Sequence, residues 1–314
     1  MYKFGRSKKE VMRKIYIVLK IALCLILLSC GGKSKKNQLV IGISPSSDAE
    51  RTNERIDAIT AYFSKELGME VSHVLVSNPS AMIEAMRANK IHVGSGGPFT
   101  YLVAAEKAGA EAIVTTKVPE GHTDYYRTLF ITQPNSPINN LEDLKRLSKQ
   151  TTLSWAYPTS CSGHLVPRYV LQQHGIYPED FKEVFTSTDH TSAIFTALSG
   201  KVDVAAVYKS GIHKFVTDGR IKESDFKIIW ESEPLLASPS FVRKDLPEDL
   251  KKKIQNAYIN MKKNSPETWQ ILRNQYSFEI NYVPIHDTDY NVFRKMANEI
   301  KDLGFDLNTA ELKE

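Results

Sequence analysis

The chain has 314 residues, with 41 Lys and Arg against 36 Asp and Glu and a net charge of +5. Residues 1–29 hold seven basic side chains and one acidic side chain, so they contribute +6 and leave the remainder at about −1. A nearly neutral remainder lacks the basic surface that nucleic-acid binding needs, and we expect no nucleic-acid partner.

The first 29 residues are typical of a secretory signal peptide. The basic segment MYKFGRSKKEVMRK precedes the apolar run IALCLILL, which is shorter than the roughly 20 residues of a membrane span. Leu27, Leu28 and Ser29 before Cys30 resemble a bacterial lipobox, in which the cysteine is lipidated and becomes the first mature residue. An ordinary signal peptide cleaved nearby and an uncleaved anchor are the alternatives. Residues 30–37 are polar and are expected to form a flexible tether.

From residue 38 onward, short apolar strands alternate with amphipathic helices. In chain order, the predicted elements are the strand LVIGIS, a helix from Asp48 to Leu67, the strand EVSHVLV, the helix NPSAMIEAMRANK, the strand IHVGSGGP, the helix FTYLVAAEKAG, the strands AIVTTKV and YRTLFIT, the helix NLEDLKRLS, the strand TTLSWA, a helix from Ser162, the strand EVFTST, the helix HTSAIFTALSG and the strand VDVAAVY. This alternation predicts an α/β fold with largely parallel sheets covered by helices on both faces. Roughly 275 residues are enough for one large domain or two of medium size.

In open sheets of this kind, ligands bind beyond the carboxyl ends of the strands, where loops lead into helices. Five such junctions are rich in Ser, Thr, Gly and His and poor in carboxylates, at residues 43–47, 77–80, 94–101, 158–163 and 187–192. Neutral hydrogen-bond donors with few fixed negative charges suit an anionic ligand.

The most specific of these junctions is PTSCSG, residues 158–163. A helix that begins near Ser162 presents backbone N–H groups without helical partners, together with the positive end of the helix dipole. The hydroxyls of Ser160 and Ser162 would complete a set of donors for phosphate or a similar tetrahedral oxyanion. The alternative is a plain helix cap formed by either serine.

The three cysteines cannot form an internal disulfide in the mature chain, because Cys24 lies in the signal peptide and Cys30 is the lipidation candidate. Cys161 is therefore either a buried, inert thiol or part of a site. Paired with His164 or His190, it could imitate a thiol nucleophile with its base, but no local feature orients either histidine.

Other catalytic motifs are missing. Neither Ser160 nor Ser162 has the glycine two positions upstream that a nucleophile elbow needs. GSGG runs directly into Pro98 without the spacing of a dinucleotide loop, and neither G-x-x-x-x-G-K-[ST] nor H-E-x-x-H occurs. The eight histidines are scattered, so a metal site would have to be assembled from distant segments. We expect a binding protein rather than an enzyme, with no cofactor and no metal.

Four ordered blocks carry a family resemblance: GGPFTYLVAA, YYRTLFITQPNSPINNLEDLK, YPTSCSGHLVP and DHTSAIFTALSGKVDVAA. From about Leu39 to about Arg243 the chain resembles the phosphonate-, phosphite- and phosphate-binding proteins of ABC importers, the PhnD-like family of type II periplasmic binding proteins. The third block is similar to the family's D-P-x-S-T-S-G-x-L-V-P loop, and the fourth to its histidine helix and following strand.

The resemblance implies two α/β lobes, each with a mostly parallel sheet flanked by helices, that close on the ligand. Two crossover segments would act as hinges, near residues 131–135 and 235–241. Lobe 1 would then comprise residues 38–130 plus 242–314, and lobe 2 residues 131–241. The helices expected at residues 247–312 would finish lobe 1.

The resemblance also implies site residues. Ser160 and Ser162, with the backbone after Cys161, would hold the oxygens of the anion, while Tyr126 and Thr128 would approach it from the first crossover. His190 would donate from another helix start; Tyr126 could instead be a core residue and His190 a cap. Gly97, Pro98 and Tyr101 would shape the rim of lobe 1, with Tyr101 either packed or facing the ligand.

Departures from the family pattern bear on the ligand. Ser210 and Ser238 stand where aminoalkylphosphonate binders carry acidic residues, and a buried ammonium without a carboxylate would cost several kcal/mol. Cys161 replaces the threonine of the S-T-S motif, and Tyr157 replaces the aspartate before the proline.

The resemblance therefore implies capture of a phosphonate, phosphite or phosphate for an ABC permease by a lipid-anchored protein. A sensor of the same fold that feeds a receptor or kinase, or a carrier of another small anion, is the alternative.

Overall fold

The computed structural model of the protein describes residues 38–44, 49–117, 126–274, 281–300 and 303. The expected signal peptide, the lipidation site at Cys30, the tether and most of the junction at 43–47 lie outside these residues. The described residues from Leu39 onward belong to one compact unit. No helix within the described ranges is long and apolar enough to cross a membrane.

The amino-terminal part alternates strands and helices as expected. Its elements are β1 (Gln38–Ile43), α1 (Ala49–Leu67), β2 (Glu70–Leu75), α2 (Pro79–Arg87), β3 (Val93–Ser95), α3 (Pro98–Ala108) and β4 (Ala110–Lys117). Gly68 follows α1 with a φ of 63°, a left-handed conformation that glycine adopts at little cost. Asn78 caps α2, because its side chain accepts the N–H of Ala81 at 2.8 Å.

The central part repeats the alternation. Its elements are β5 (Thr128–Thr132), α4 (Leu141–Leu147), β6 (Thr152–Trp155), a wide turn at Cys161–Leu165, α5 (Val166–Gln173), β7 (Glu183–Thr186), α6 (His190–Leu198), β8 (Val204–Tyr208), α7 (Lys209–Thr217) and β9 (Lys227–Glu231). The carboxy-terminal part contains β10 (Pro239–Arg243), α8 (Glu248–Asn264), α9 (Pro266–Arg273), β11 (Asn281–Pro284) and α10 (Asn291–Glu299).

The strands form two sheets. The first has the order β11-β4-β10-β3-β1-β2 and the second the order β7-β6-β8-β5-β9. Helices cover both faces of each sheet, because neighbouring strand residues contribute to different apolar clusters: Phe241 packs with α2 and α3, whereas Val242 packs with α1, α8 and α9. The predicted α/β class with two helix-flanked sheets is confirmed.

The expectation of mostly parallel sheets is wrong, because both sheets are mixed. The strands of the β–α–β repeats pair in parallel, β1 with β3 and β6 with β7 and β8. The strands next to the connections between the sheets run against their neighbours, β10 against β3 and β4, and β5 against β8 and β9. A strand that enters or leaves a sheet without a crossover helix is free to pair antiparallel.

Two connections join the sheets, and the first lies earlier than expected. β5 already belongs to the second sheet, and Ile131 within it is fully buried there, so residues 131–135 are not a crossover. The first connection lies between Lys117 and Thr128, and the second spans residues 232–238, which overlap the expected 235–241. We define lobe 1 as residues 38–117 with 239–284, and lobe 2 as residues 128–231.

The two connections are hydrogen-bonded to each other. The N–H of Leu235 donates to the carbonyl of Tyr126 at 2.8 Å, and the N–H of Ser232 donates to the carbonyl of Thr128 at 2.9 Å. The N–H of Thr128 in turn donates to the hydroxyl oxygen of Ser232 at 2.9 Å. The segments between the lobes therefore form a short ladder rather than two independent linkers.

The carboxy-terminal tail does more than finish lobe 1. β11 completes the first sheet, but α10 continues past it and packs against α5 of lobe 2. The side chain of Gln172 in α5 donates to the carbonyl of Glu299 at 2.7 Å. Phe293 and Ala297 lie in the same apolar cluster as Leu165 of lobe 2.

The core of lobe 1 provides a test of the packing. Phe63 is fully buried, and its ring centroid lies 5.5 Å from that of Tyr62 and 4.9 Å from that of Tyr258. We expect Phe63→Ala to lower the free energy of unfolding by about 3–5 kcal/mol because it leaves a cavity. Phe185→Ala, at a side chain 38% exposed on an edge strand, should change it by less than about 1 kcal/mol. Urea unfolding followed by circular dichroism measures both, and equal losses would contradict this packing.

Candidate ligand-binding site

The turn after β6 holds the two candidate serines and begins α5. The hydroxyl oxygen of Ser160 accepts the N–H of Gly163 at 2.9 Å, and its carbonyl accepts the N–H of Leu165 at 3.0 Å. Ser160 is therefore a helix cap, which was the alternative interpretation of this serine. The hydrogen bond between Ser160 and Leu165, five residues apart, widens the first turn of the helix. Ser160 and Ser162 are both almost fully buried.

Gly163 lets a second helix approach this turn. A Cβ at this position would lie 2.7 Å from Cε1 of His190 and would also overlap Cβ of Ala156. Such distances do not occur between real atoms, so any side chain at residue 163 would push α6 away from the turn. Because Gly163 has no side chain, the start of α6 can lie against the start of α5.

His190 uses this proximity to contact the turn. Its Nε2 lies 3.0 Å from the hydroxyl oxygen of Ser160, and its ring meets the rings of Tyr157 and Tyr208 edge-on. His190 does not cap α6, because Asp189 accepts the N–H of Ser192 at 2.7 Å. Nδ1 of His190 is buried and has no hydrogen-bond partner among the described residues. Burial lowers the pKa of His190 from 6.5 to about 4, although the Asp189 carboxylate opposes this shift.

Tyr126 connects the ladder between the lobes with Ser162. Its hydroxyl donates to the hydroxyl oxygen of Ser162 at 3.1 Å, while its carbonyl belongs to the ladder. Burial raises the pKa of Tyr126 well above 10, and hydrogen bonds with the hydroxyl and the backbone amide of Ser162 oppose this shift. Tyr126 is therefore neutral and half-buried. Its hydroxyl points toward Ser162 in the turn and not into the apolar core.

Cys161 is a buried thiol and not a nucleophile. Its pKa is raised far above 9 by burial, a shift that contacts with the Tyr126 hydroxyl and the Phe99 backbone only partly oppose. His190 faces Ser160, and Nδ1 of His164 lies 2.8 Å from the carbonyl of Pro158. Neither His190 nor His164 is therefore placed to act as the base of this thiol.

Lobe 1 meets the turn with the start of α3. The hydroxyl of Thr100 donates to the carbonyl of Thr159 at 3.0 Å, a hydrogen bond between the lobes. A Cβ at Gly97 would lie 3.9 Å from the hydroxyl oxygen of Tyr126, so Gly97 stands beside the same donors. Tyr101 is packed instead, because it is fully buried and its hydroxyl bonds Asp287 on the far side of α3.

Three further sequence-derived candidates make no described hydrogen bond to these donors. Thr128 is fully buried at the start of β5, and its hydroxyl has no partner among the described residues. Ser210 is half-buried in the first turn of α7, and Ser238 is exposed before β10. No described hydrogen bond joins any of the three to Ser160 or Ser162.

Sequence reasoning missed three residues of this site. Tyr157 is half-buried beside Ser160 and Thr100, and burial raises its pKa to about 12. Tyr208 packs on His190 with ring centroids 4.5 Å apart. In the sequence, Tyr157 was noted only as a departure from a family pattern. Thr100 and Tyr208 had no feature that marked them as site residues, apart from their positions at strand-to-helix junctions.

A cavity of about 370 Å³ adjoins this site within lobe 1. It lies at the carboxyl ends of β1 and β3, under α1 and α8, and Gly96, Gly97 and Ser238 form its edge toward lobe 2. A larger pocket, of about 740 Å³, opens at the amino end of β4 and is lined by both acids and bases. The smaller cavity is the one at the end of the sheet where ligands bind in α/β folds. Within the described ranges, no three His, Cys, Asp or Glu side chains form a metal site.

The cap at Ser160 can be tested by stability. We expect Ser160→Ala to lower the free energy of unfolding by about 1–2 kcal/mol, because the Gly163 N–H and His190 both lose their partner. Ser162→Ala should cost less, since the Ser162 hydroxyl caps nothing. Urea unfolding of the ligand-free protein compares them, and a larger loss for Ser162→Ala would refute this assignment.

The buried histidine predicts a pH dependence. Between pH 6.5 and about 4 an unfolded chain protonates His190 but the folded chain does not, so the free energy of unfolding should fall as the pH falls through this window. His164, whose pKa burial also lowers to about 4, contributes in the same direction. His190→Gln should make this loss shallower, whereas His213→Gln, at an exposed position, should keep the wild-type slope. An unchanged slope in His190→Gln would contradict the burial of the ring.

Comparisons with known proteins identify the family of the chain. The model of the family described as the periplasmic substrate-binding protein of phosphonate ABC transporters matches residues 41–290. The phosphonates-binding periplasmic protein of Escherichia coli is 28% identical over 271 residues, covering 84% of this chain and 79% of that protein.

Two solved structures share the fold. A binding-protein component of a phosphonate ABC transporter from Pseudomonas aeruginosa superposes with a TM-score of 0.71 at 22% identity, covering 83% of this chain and 86% of that one. PhnD1 of Prochlorococcus marinus in complex with methylphosphonate superposes with a TM-score of 0.70 at 20% identity, covering 83% of this chain and 97% of that one. The family match spans most of the chain, and the chain belongs to the periplasmic substrate-binding proteins of phosphonate ABC transporters.

Proposed function

We propose that this protein captures a small tetrahedral oxyanion, a phosphonate, phosphite or phosphate, and delivers it to an ABC permease without changing it chemically. The observation that carries this proposal is the meeting of two helix starts, those of α5 and α6, with the Tyr126 hydroxyl at the junction of the lobes. Helix starts combine unpaired N–H groups with a positive dipole end, and both favour an anion.

The donors have distinct roles in this proposal. Ser162 offers its amide and its hydroxyl, and the hydroxyl oxygen accepts a hydrogen bond from the hydroxyl of Tyr126. An anion oxygen takes the place of that hydroxyl, and Tyr126 then donates to the anion. His190 donates a hydrogen bond through Nε2. Ser160 and Cys161 line the turn, and the hydrogen bonds of Ser160 maintain the conformation of the turn. Thr128, at the start of β5 beside the first connection, keeps a buried hydroxyl.

The energetics of such a site are adequate. Micromolar binding corresponds to about −8 kcal/mol. Hydrogen bonds to a charged group contribute roughly 1.5–3 kcal/mol each, from which the cost of ordering must be subtracted. Four such hydrogen bonds suffice for this affinity. An anion that contacts both lobes stabilises the closed arrangement, which the hydrogen bond between Thr100 and Thr159 already favours.

The site does not favour an amine on the ligand. Ser210 and Ser238 remain candidates for contact with its organic part, and neither supplies the negative charge that an ammonium group needs when it is buried. Aminoethylphosphonate is therefore a poor ligand in this proposal. Cys30 anchors the protein to the membrane through lipid, and residues 30–37 tether the lobes to it.

Calorimetry of the chain from residue 38, without lipid, against phosphate, phosphite, methylphosphonate and sulfate tests this function. We expect at least one phosphorus oxyanion to bind. Ser162→Ala should weaken that ligand at least tenfold, because it loses a charge-assisted hydrogen bond. The matched control is Ser224→Ala, at an exposed serine, which should bind as the wild type does. A folded wild type that binds none of the four anions, or an unchanged affinity in Ser162→Ala, would overturn the proposal.

A further inference from the structure

The amino end of α10 is fixed to lobe 1. The hydroxyl of Tyr101 in α3 donates to the carboxylate of Asp287, and Arg294 of α10 donates to the carbonyl of Asp287 at 3.0 Å. Tyr290, the residue before α10, is fully buried, and its ring centroid lies 5.1 Å from that of Tyr101. Its hydroxyl donates to the carbonyl of Ala237 in the second connection at 3.1 Å. This end of the helix therefore belongs with lobe 1.

The carboxyl end of α10 is fixed to lobe 2 instead. Nε2 of Gln172 in α5 donates to the carbonyl of Glu299, the last residue of α10, at 2.7 Å. The last carbonyls of a helix have no partner within the helix, so a side-chain donor from outside satisfies one of them. Phe293 and Ala297 are buried in the apolar cluster that also contains Leu165 of lobe 2. One short helix thus joins the two lobes.

The helix α10 also packs against the turn that carries the proposed anion donors. Its apolar cluster contains Cys161 and Leu165, which are the first and last residues of the wide turn around Ser162. α10 contacts α3 of lobe 1, α5 of lobe 2 and the turn itself. Its position is therefore linked to the position of the donors.

Bending about the ladder between the connections moves α5 away from α3, so one end of α10 must leave its lobe. The amino end is held by the buried ring of Tyr290 and by the hydrogen bonds of Asp287. The carboxyl end is held by apolar packing and by the hydrogen bond from Gln172. The carboxyl end is the one that separates, because its backbone contact depends on a single flexible side chain.

We propose that α10 is a clasp between the lobes: its contact with α5 stabilises the closed arrangement and is broken when the lobes open. A ligand enclosed between two lobes leaves after they open, so a contact made only in the closed arrangement slows its release. Residues that never touch the ligand thus set how long it stays bound. The choice of an anion as the ligand rests on the function proposed above.

Substitutions at Gln172 test the hydrogen bond to Glu299. Gln172→Ala removes the donor, Gln172→Glu places a carboxylate against a carbonyl oxygen, and Gln172→Lys supplies a donor again. Stopped-flow tryptophan fluorescence measures release of the tightest binder among phosphate, phosphite and methylphosphonate. We expect release about fivefold faster in Gln172→Ala, the effect of one typical hydrogen bond. It should be faster still in Gln172→Glu and close to wild type in Gln172→Lys. The matched control is Gln173→Glu, at the exposed neighbouring residue, which should release the anion as the wild type does.

A second pair of variants tests the contact from the α10 side. Ala297→Asp places a charge in the apolar cluster, and the helix end should leave lobe 2 because burying an unpaired charge is costly. Asn298→Asp puts the same charge on the exposed neighbouring residue and is the matched control. We expect release to be faster in Ala297→Asp than in the wild type and unchanged in Asn298→Asp. Thermal unfolding confirms that each variant is folded.

Small-angle X-ray scattering of the ligand-free protein gives a second readout, which needs no anion. We expect a larger radius of gyration in Gln172→Glu than in the wild type and Gln173→Glu, because more molecules are open. A side chain that merely stabilised α5 would change the unfolding temperature and leave this radius unchanged.

The outcomes separate this inference from the proposed function. If an anion binds but Gln172→Glu keeps the wild-type release rate or the wild-type radius of gyration, the inference is overturned and the function stands. If the wild type binds none of the three anions, the function fails. The radius of gyration then decides the inference: an increase in Gln172→Glu supports the clasp, and an unchanged radius overturns it.

Discussion

The site depends on the close approach of α6 to the turn before α5, which is possible only because residue 163 has no side chain. Through that gap His190 reaches the Ser160 hydroxyl, and Ser160 in turn holds the amide of Gly163. One hydroxyl thus fixes the start of one helix and the position of the first residue of another. The neighbouring hydroxyl of Ser162 is left to accept a hydrogen bond from Tyr126.

Burial keeps the ionisable groups of this site uncharged near neutral pH. It raises the pKa of Tyr126 and of Cys161 and lowers that of His190, so none of the three carries a charge at pH 7. The positive potential of the two helix starts is therefore not cancelled by a phenolate or a thiolate. In the proposed function the helix starts attract the anion, in place of a buried cation whose desolvation would have to be compensated.

The parts of this structure that depend on local sequence could be predicted. The α/β alternation and the helix starts at residues 158–163 and 187–192 follow from periodicity and junction chemistry, whereas the site role of His190 was implied only by the family resemblance. The first crossover could not be placed, because the pattern of YRTLFIT predicts a strand but does not show which sheet that strand joins. Strand direction could not be predicted either, because it depends on partners that are distant in the chain. The contacts of Tyr157 with Thr100 and of Tyr208 with His190 join segments far apart in the chain, and composition cannot show them.

The ladder between the connections limits how the lobes can move. Two independent linkers would permit both bending and twisting, but segments that share hydrogen bonds between Tyr126 and Leu235 and between Thr128 and Ser232 resist torsion. Twisting the two segments against each other would break these hydrogen bonds, whereas bending about the ladder keeps them. A fluorophore pair on opposite lobes would report such bending as a change in a single distance.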